Sequence, residues 1–179
     1  MKDENTYDKY WNELNLFEVP KDTDSDIADL PIRYSARTVL IDENNHFILS
    51  HSSHHGVHSV PGGGIENHET IDEATVRECK EETGYDIEFI TKLGYFKFYG
   101  EKYILISFSY LARAIGVQEE LNLMDDEKAL GLSARCYPYE EAIQVLEGDV
   151  ARTGNHYSAR SILLIKEAKK YIDEHKSGK

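Results

Sequence analysis

Residues 61–85 read PGGGIENHETIDEATVRECKEETGY, and this stretch decides the fold. The spacing predicts a helix over residues 70–83. Thr70 suits an N-cap, and Glu73 three residues on completes a capping box. Glu73 and Arg77 form an i,i+4 pair with the acid N-terminal, the better orientation. Gly84 is a natural C-terminal stop. On this helix Glu78, Glu81 and Glu82 fall at i, i+3 and i+4, so all three project within about 100° of arc. Ile71 and Ala74 lie on nearly the same stripe, which therefore begins core-facing and turns acidic towards the helix end. Acids suit the first turn of a helix rather than the last, and Glu78 and Glu82 repel each other by roughly 0.3 kcal/mol. A divalent cation against the stripe explains the placement. Hard cations such as Mg²⁺ take carboxylate oxygens, keep several waters and complete their shell with substrate phosphates. The run Pro61-Gly62-Gly63-Gly64 lets backbone approach a ligand closely and adopt positive φ. Taken singly, the glutamates also read as a solvated acidic face and the glycines as a flexible turn.

Outward from this stretch the chain alternates between strand-like and helical textures. Arg33–Asp42 is rich in β-formers, Glu43-Asn44-Asn45 makes a turn, and His46–Ser50 resumes, which predicts a hairpin. Residues 51–64 read as a polar loop with four histidines, His51, His54, His55 and His58. Clustered histidines bind zinc or contact phosphate in some settings, but here the spacing is irregular and no cysteine accompanies them. Past the helix, strands are expected over about 86–98 and 103–113, with Gly100-Glu101-Lys102 between them. Residues 118–129 hold five acids in twelve positions and read as an exposed loop. A strand over 130–137 follows, then Pro138 where a helix can begin, with Tyr139–Leu146 as that helix. Residues 157–174 form an amphipathic helix, with Leu164, Ile165, Ala168, Tyr171 and Ile172 on one face. Strands with interspersed helices, not in strict alternation, predict α+β or an α/β/α sandwich.

The 179 residues suffice for one domain, and a chain of this size buries roughly 70% of its unfolded surface. With 40% hydrophobic and 30% charged residues the composition is that of a soluble globular protein. Twenty basic against 33 acidic side chains give a net charge of −13. Such a chain repels nucleic acid and anionic lipid unless a cation intervenes, so neither is an expected partner. No apolar run reaches membrane-spanning length. The N-terminus MKDENTYDKYW lacks the regions of a signal peptide. Cys79 and Cys136 have neither metal-ligand spacing nor a disulfide framework, which points to a reduced, cytoplasmic protein. Residues 1–30, with nine acids and three lysines, stand apart as an N-terminal arm with a short helix expected near residues 5–16. The arm reads either as solvated or as packing on a partner subunit through Tyr7, Tyr10 and Trp11.

Counted from Gly63, the glycine run and the acidic helix share one frame. This frame resembles the Nudix box, G-x5-E-x7-R-E-U-x-E-E-x-G-U, where U is a bulky apolar residue. Gly63, Glu69, Arg77, Glu78, Glu81, Glu82 and Gly84 match all seven fixed positions. Departures fall at the U positions, where Cys79 and Tyr85 stand, and at His68, where relatives commonly have glycine. Weaker resemblance covers Tyr34–Ser50 and the segment Arg135-Cys136-Tyr137-Pro138-Tyr139-Glu140-Glu141-Ala142. The latter is similar to R-W-x-P-x-(D/E)-E-A, with Cys136 in place of Trp.

The resemblance implies a Nudix-type α/β/α sandwich with a mixed β-sheet over residues 31–175. It implies hydrolysis of a diphosphate linkage in a nucleoside diphosphate-linked or triphosphate substrate, using Mg²⁺ or Mn²⁺. By analogy Glu78 and Glu82 are metal ligands with Glu81 close behind, and the Gly63 carbonyl completes the shell. Arg77 and Glu69 form an ion-paired frame that orients them. Relatives differ in the general base, and of the acids in 118–129 Glu127 is favoured because it closely precedes a strand. Tyr103, 18 residues after Tyr85, stands about where dinucleoside polyphosphate hydrolases place a tyrosine. The proline of many ADP-ribose pyrophosphatases is absent near Gly100, and no marker for NADH or coenzyme A is present. Phe96, Phe98, Tyr99 and Tyr103 are candidate stacking partners for a purine. His58, two residues before Val60, where relatives often have Trp, is a candidate substrate contact. A homodimer is common in the family, and the arm is a candidate contributor. The alternative is a Nudix-fold nucleotide-sensing module without turnover, against which the intact glutamates argue. The complete box likewise favours hydrolysis over isopentenyl diphosphate isomerisation.

Overall fold

Strand β1 (Ile32–Ile41) is the centre of the molecule, a computed structural model describing residues 30–100, 102–123 and 125–175, without the side chains of Asp126 and Glu127. Its β-branched and apolar run pairs in parallel with β5 (Ile104–Ile115), from Ile32 opposite Ile104 to Ile41 opposite Arg113. Every other pairing is antiparallel: β1 with β2 (Phe47–Ser52), β2 with β3 (Val57–Ser59) and β6 (Leu132–Tyr137), and β4 (Asp86–Tyr99) with β5. The result is a six-stranded mixed sheet in the order β3-β2-β1-β5-β4, with β6 on β2.

Alternation along the strands divides the core into two layers. Ala36 packs with Ile71 and Ala74 of helix α1 (Ile71–Thr83), joined by Phe108 and Tyr95. On the opposite face Val39, Ile41, Phe47 and Leu49 pack against Leu146 of α3 (Tyr139–Thr153) and Leu164, Ile165 and Ala168 of α4 (His156–His175). Each such fully buried aliphatic side chain contributes about 1.5–3 kcal/mol. The fold is therefore the expected sandwich, α1 on one face and α3 with α4 on the other.

Local signals act as read for the hairpin and for α1. Asp42 Oδ1 accepts from the Asn44 and His46 amides, each at 2.8 Å, and Asn45 takes φ 60° in the turn. The Thr70–Glu73 capping box forms, and Gly84 closes α1 at φ 74° with its N–H on the Lys80 carbonyl. Cys79 is fully buried and Tyr85 packs beside Leu40 and Ile48, so both departures at the apolar box positions still fill core. Both cysteines are free thiols.

Three expectations need correction. The histidine-rich stretch is not all loop: β2 runs to Ser52 and β3 returns along it. The 118–129 segment is not all loop either, since a short helix α2 (Asp125–Leu130) precedes β6. Helix α3 runs past Leu146 and the interior Gly148 to Thr153, where Gly154 at φ 66° ends it. Gly148 costs roughly 1 kcal/mol relative to Ala. The next residue, buried Asp149, anchors the added turn by accepting from His58 and Arg152. The arm, with Tyr7, Tyr10 and Trp11, lies outside the described residues.

Candidate active site

The glycine run lies along β1 as an irregular edge. Ala36 donates to the Gly63 carbonyl at 3.0 Å and Thr38 to the Pro61 carbonyl at 2.9 Å. Gly62 has φ 137°, and a Cβ there would strike the Ala36 carbonyl. A Cβ on Gly63 would overlap the Glu78 carboxylate. Glycine is thus required so that backbone and carboxylate can meet. His68 keeps a left-handed φ of 77°. This is the conformation that glycine favours, held here by a residue type that tolerates the region moderately well.

Arg77 is the hub of the acidic helix. Its Nε and Nη2 grip Glu69 at 3.1 and 2.7 Å, and Nη2 also reaches the Gly64 carbonyl at 3.0 Å. Nη1 donates to Glu78 at 2.9 Å and to Glu81 at 3.0 Å. The Glu69 hydrogen bond, above all, raises the Arg77 pKa. One guanidinium thus fixes three carboxylates.

Glu82 is held differently. It is 9% exposed and Glu78 is 6%. Its Oε2 accepts from the Ser50 hydroxyl at 2.5 Å and the Gly62 amide at 3.3 Å. Burial pushes its pKa up to about 7, against the pull of Ser50 and the nearby Arg37 charge. Burial likewise raises Glu78, with Arg77 opposing. Two buried, mutually repelling carboxylates with raised pKa values make a donor set that suits a hard divalent cation. The Gly63 carbonyl, with one lone pair taken by Ala36, keeps its second for such a cation.

Glu82 and Ser50 line one lobe of a cleft of about 570 Å³, together with Arg37, Val57, Ser59 and Tyr157. Arg37 and Tyr157 also line the adjoining lobe of about 800 Å³, which holds Tyr103. The Arg33 guanidinium lies 4.8 Å from the Tyr103 ring centre. His58 does not line either lobe. It is 8% exposed, with Nδ1 2.8 Å from Asp149 Oδ2 and Nε2 3.0 Å from the Tyr137 hydroxyl. The period of two along β3 puts its neighbours Val57 and Ser59 on the cleft and turns His58 away. His58, a candidate substrate contact in the sequence, is thus placed facing Asp149 and Tyr137 inside the fold. Glu127 lies in α2, its side chain outside the described residues, while Leu130 at the end of that helix lines the Glu82 lobe. Glu119 is paired with Lys80 at 3.0 Å.

Sequence reasoning missed Ser50, Arg37, Tyr157 and Arg160. Two of them carried a signal. Arg37 is a charged residue just before the apolar run Val39-Leu40-Ile41 of β1, and Arg160 heads the i+4 series Leu164, Ala168, Ile172 on the buried stripe of α4.

Residues 31–160 match the model of the NUDIX domain. The chain belongs to the NUDIX domain family. A comparison with curated proteins finds no match. Among solved structures it is similar to a NUDIX hydrolase from Nitrosomonas europaea, at 17% identity and TM-score 0.59, covering 80% of this chain and 90% of that one. It is also similar to a MutT protein from Methanosarcina mazei Go1, at 17% identity and TM-score 0.56, covering 79% and 98%. A third is an ADP-ribose pyrophosphatase from Streptococcus suis, at 15% identity and TM-score 0.50, covering 76% and 91%. These likenesses establish the fold. No helix among the described residues is long and apolar enough to cross a membrane.

Proposed function

We propose that this NUDIX domain hydrolyses a diphosphate linkage in a nucleoside diphosphate-linked or nucleoside triphosphate substrate. Glu78, Glu81 and Glu82 with the Gly63 carbonyl would hold Mg²⁺ or Mn²⁺. The observation that carries this reading is the buried carboxylate pair Glu78 and Glu82, raised in pKa, with Glu82 opening on a cleft. When bound, the cation supplies charge neutralisation of the phosphoryl oxygens and a lowered pKa for an attacking water.

The chain's own residues do the positioning. Arg77 orients Glu78 and Glu81 and is itself fixed by Glu69. Ser50 and the Gly62 amide hold Glu82 in one rotamer. Arg37, shared by both lobes, faces the diphosphate where the two halves of the substrate diverge. Tyr103 and Tyr157 offer ring faces to a base or sugar in the larger lobe. Glu127 is assigned as general base, supported by the position of α2 beside the Glu82 lobe. In a chain of net charge −13 the cation and these arginines are what admit an anionic substrate.

The test is a hydrolysis panel with Mg²⁺, Mn²⁺ or EDTA. It includes ADP-ribose, nucleotide sugars, dinucleoside polyphosphates, and normal and oxidised nucleoside triphosphates. Turnover of at least one compound, abolished by EDTA, is expected. Saturable binding of a panel compound with no product in either metal would favour the sensing module instead.

A further inference from the structure

Arg160 is 7% exposed on α4. Among the described residues no carboxylate pairs with it, and its buried Nε has no hydrogen-bond partner. Its neighbours are rings: its Cζ lies 4.7 Å from the Phe96 centroid and 5.2 Å from that of Tyr157. Arg37 approaches the same Tyr157 ring at 6.0 Å, and its Nε is likewise buried and unpartnered. Burial first and the Arg37 charge second pull the Arg160 pKa down to about 9. Ring faces offset only part of what it costs to bury a guanidinium, and a second cation adds to that cost. Thirty-three acids are available in the chain, and none of those described compensates this group.

Arg160 opens on a cavity of about 280 Å³ walled by Phe96, Phe98, Tyr103 and Tyr157. Its other charged or titratable wall groups are Lys97 and His156, and no acid among the described residues lines it. Tyr103, Leu105 and Tyr157 are common to this cavity and the larger lobe of the cleft. It therefore adjoins the cleft, with Tyr157 common to this cavity and both lobes.

We propose that this cavity is a second anion subsite, which takes a phosphate monoester carried on a planar ring, with Arg160 as the specificity-determining residue. The ring lies among Phe96, Tyr103 and Tyr157, and the phosphate meets Arg160. Bound there, the dianion relieves the repulsion between Arg160 and Arg37. That the ligand is the distal half of the substrate rests on the hydrolase reading. The binding itself does not.

The probe is phenyl phosphate, with phenol and inorganic phosphate beside it, titrated by calorimetry and thermal shift into the full chain in EDTA. The expected result is saturable binding of phenyl phosphate at least tenfold tighter than of phenol or inorganic phosphate. Arg160→Met and Arg160→Gln should lose that binding at least tenfold and melt at or above the parent, because an uncompensated buried charge has gone. Arg160→Lys should keep part of it. Glu82→Gln should bind phenyl phosphate as the parent does. Unchanged binding in both Arg160→Met and Arg160→Gln would overturn the subsite, as would phenyl phosphate binding no tighter than phenol. These outcomes are independent of turnover. Binding with an inactive panel leaves the subsite standing and counts against the hydrolase reading alone, and an active panel without binding does the reverse.

Discussion

Replacing Glu82 by glutamine removes a charge and keeps the shape, so it separates the cost of that charge from its use. In the folded protein burial raises the Glu82 pKa from the ordinary 4.5 to about 7. Between those values the folded chain holds a proton that the unfolded chain has released, so stability falls as pH rises through this window. The penalty is absent below the unfolded pKa and complete above pH 7. The shift is 7 minus 4.5, which at 1.36 kcal/mol per unit is about 3 kcal/mol. The glutamine carbonyl keeps only part of the Ser50 hydrogen bond, which leaves a net gain of about 2 kcal/mol. At roughly 2–4 °C per kcal/mol for a chain of this length, Glu82→Gln should melt about 4–8 °C above the parent at pH 8 in EDTA. At pH 5 the gap should nearly close. Mg²⁺ should raise the parent's melting temperature, more at pH 8 than at pH 6, and leave the mutant where it was. The assay is thermal unfolding by circular dichroism at the three pH values. A mutant that melts below the parent at pH 8 in EDTA, or a gap of equal size at pH 5, would refute the reasoning.

Arg77→Ala leaves Glu69, Glu78 and Glu81 without their shared cation; with the guanidinium side chain 26% exposed, a loss of about 2–3 kcal/mol by urea unfolding and a large fall in turnover are expected. An unaltered urea midpoint would remove the hub role. Gly63→Ala drives a methyl into the Glu78 carboxylate; turnover should drop about 100-fold, a change of roughly 2.7 kcal/mol in the barrier, and activity within threefold of the parent would show that Glu78 tolerates displacement. His68→Gly should relieve the left-handed backbone at φ 77° and gain about 0.5–1 kcal/mol in the same unfolding assay with turnover kept; a loss of stability would mean that the histidine side chain contributes more than its backbone costs.

What the sequence made legible was local. Thr70, Glu73 and Gly84 mark both ends of α1, because caps act within a turn of the residues they satisfy. The resemblance of the Gly63–Gly84 frame to the Nudix box implied that the Gly63 carbonyl sits with the acidic stripe. Elements with weak local signals were not legible. Strand β3 has three residues, too few for a period of two to stand out within a histidine-rich stretch. Helix α3 crosses Gly148 because Asp149 reaches His58 across the fold, a contact no local pattern contains. Arg77 also shows the limit. Its ion pair with Glu69 was implied by the family resemblance alone; spacing by itself showed only the i,i+4 relation to Glu73, because the Glu69 grip depends on how the loop before α1 folds back. The aromatic surroundings of Arg160 were the least visible part. They form only because the parallel register of β1 on β5 and the docking of α4 bring Arg37, Tyr103, Tyr157 and Arg160 together.

The most direct test of the central claim is steady-state hydrolysis of the best panel substrate against free Mg²⁺, for the parent and Glu82→Gln side by side. The account predicts saturable activation by the metal in the parent, none in EDTA, and a loss of about 1,000-fold in the mutant, roughly 4 kcal/mol of barrier. Turnover that survives EDTA, or a mutant as active as the parent at saturating Mg²⁺, would contradict it.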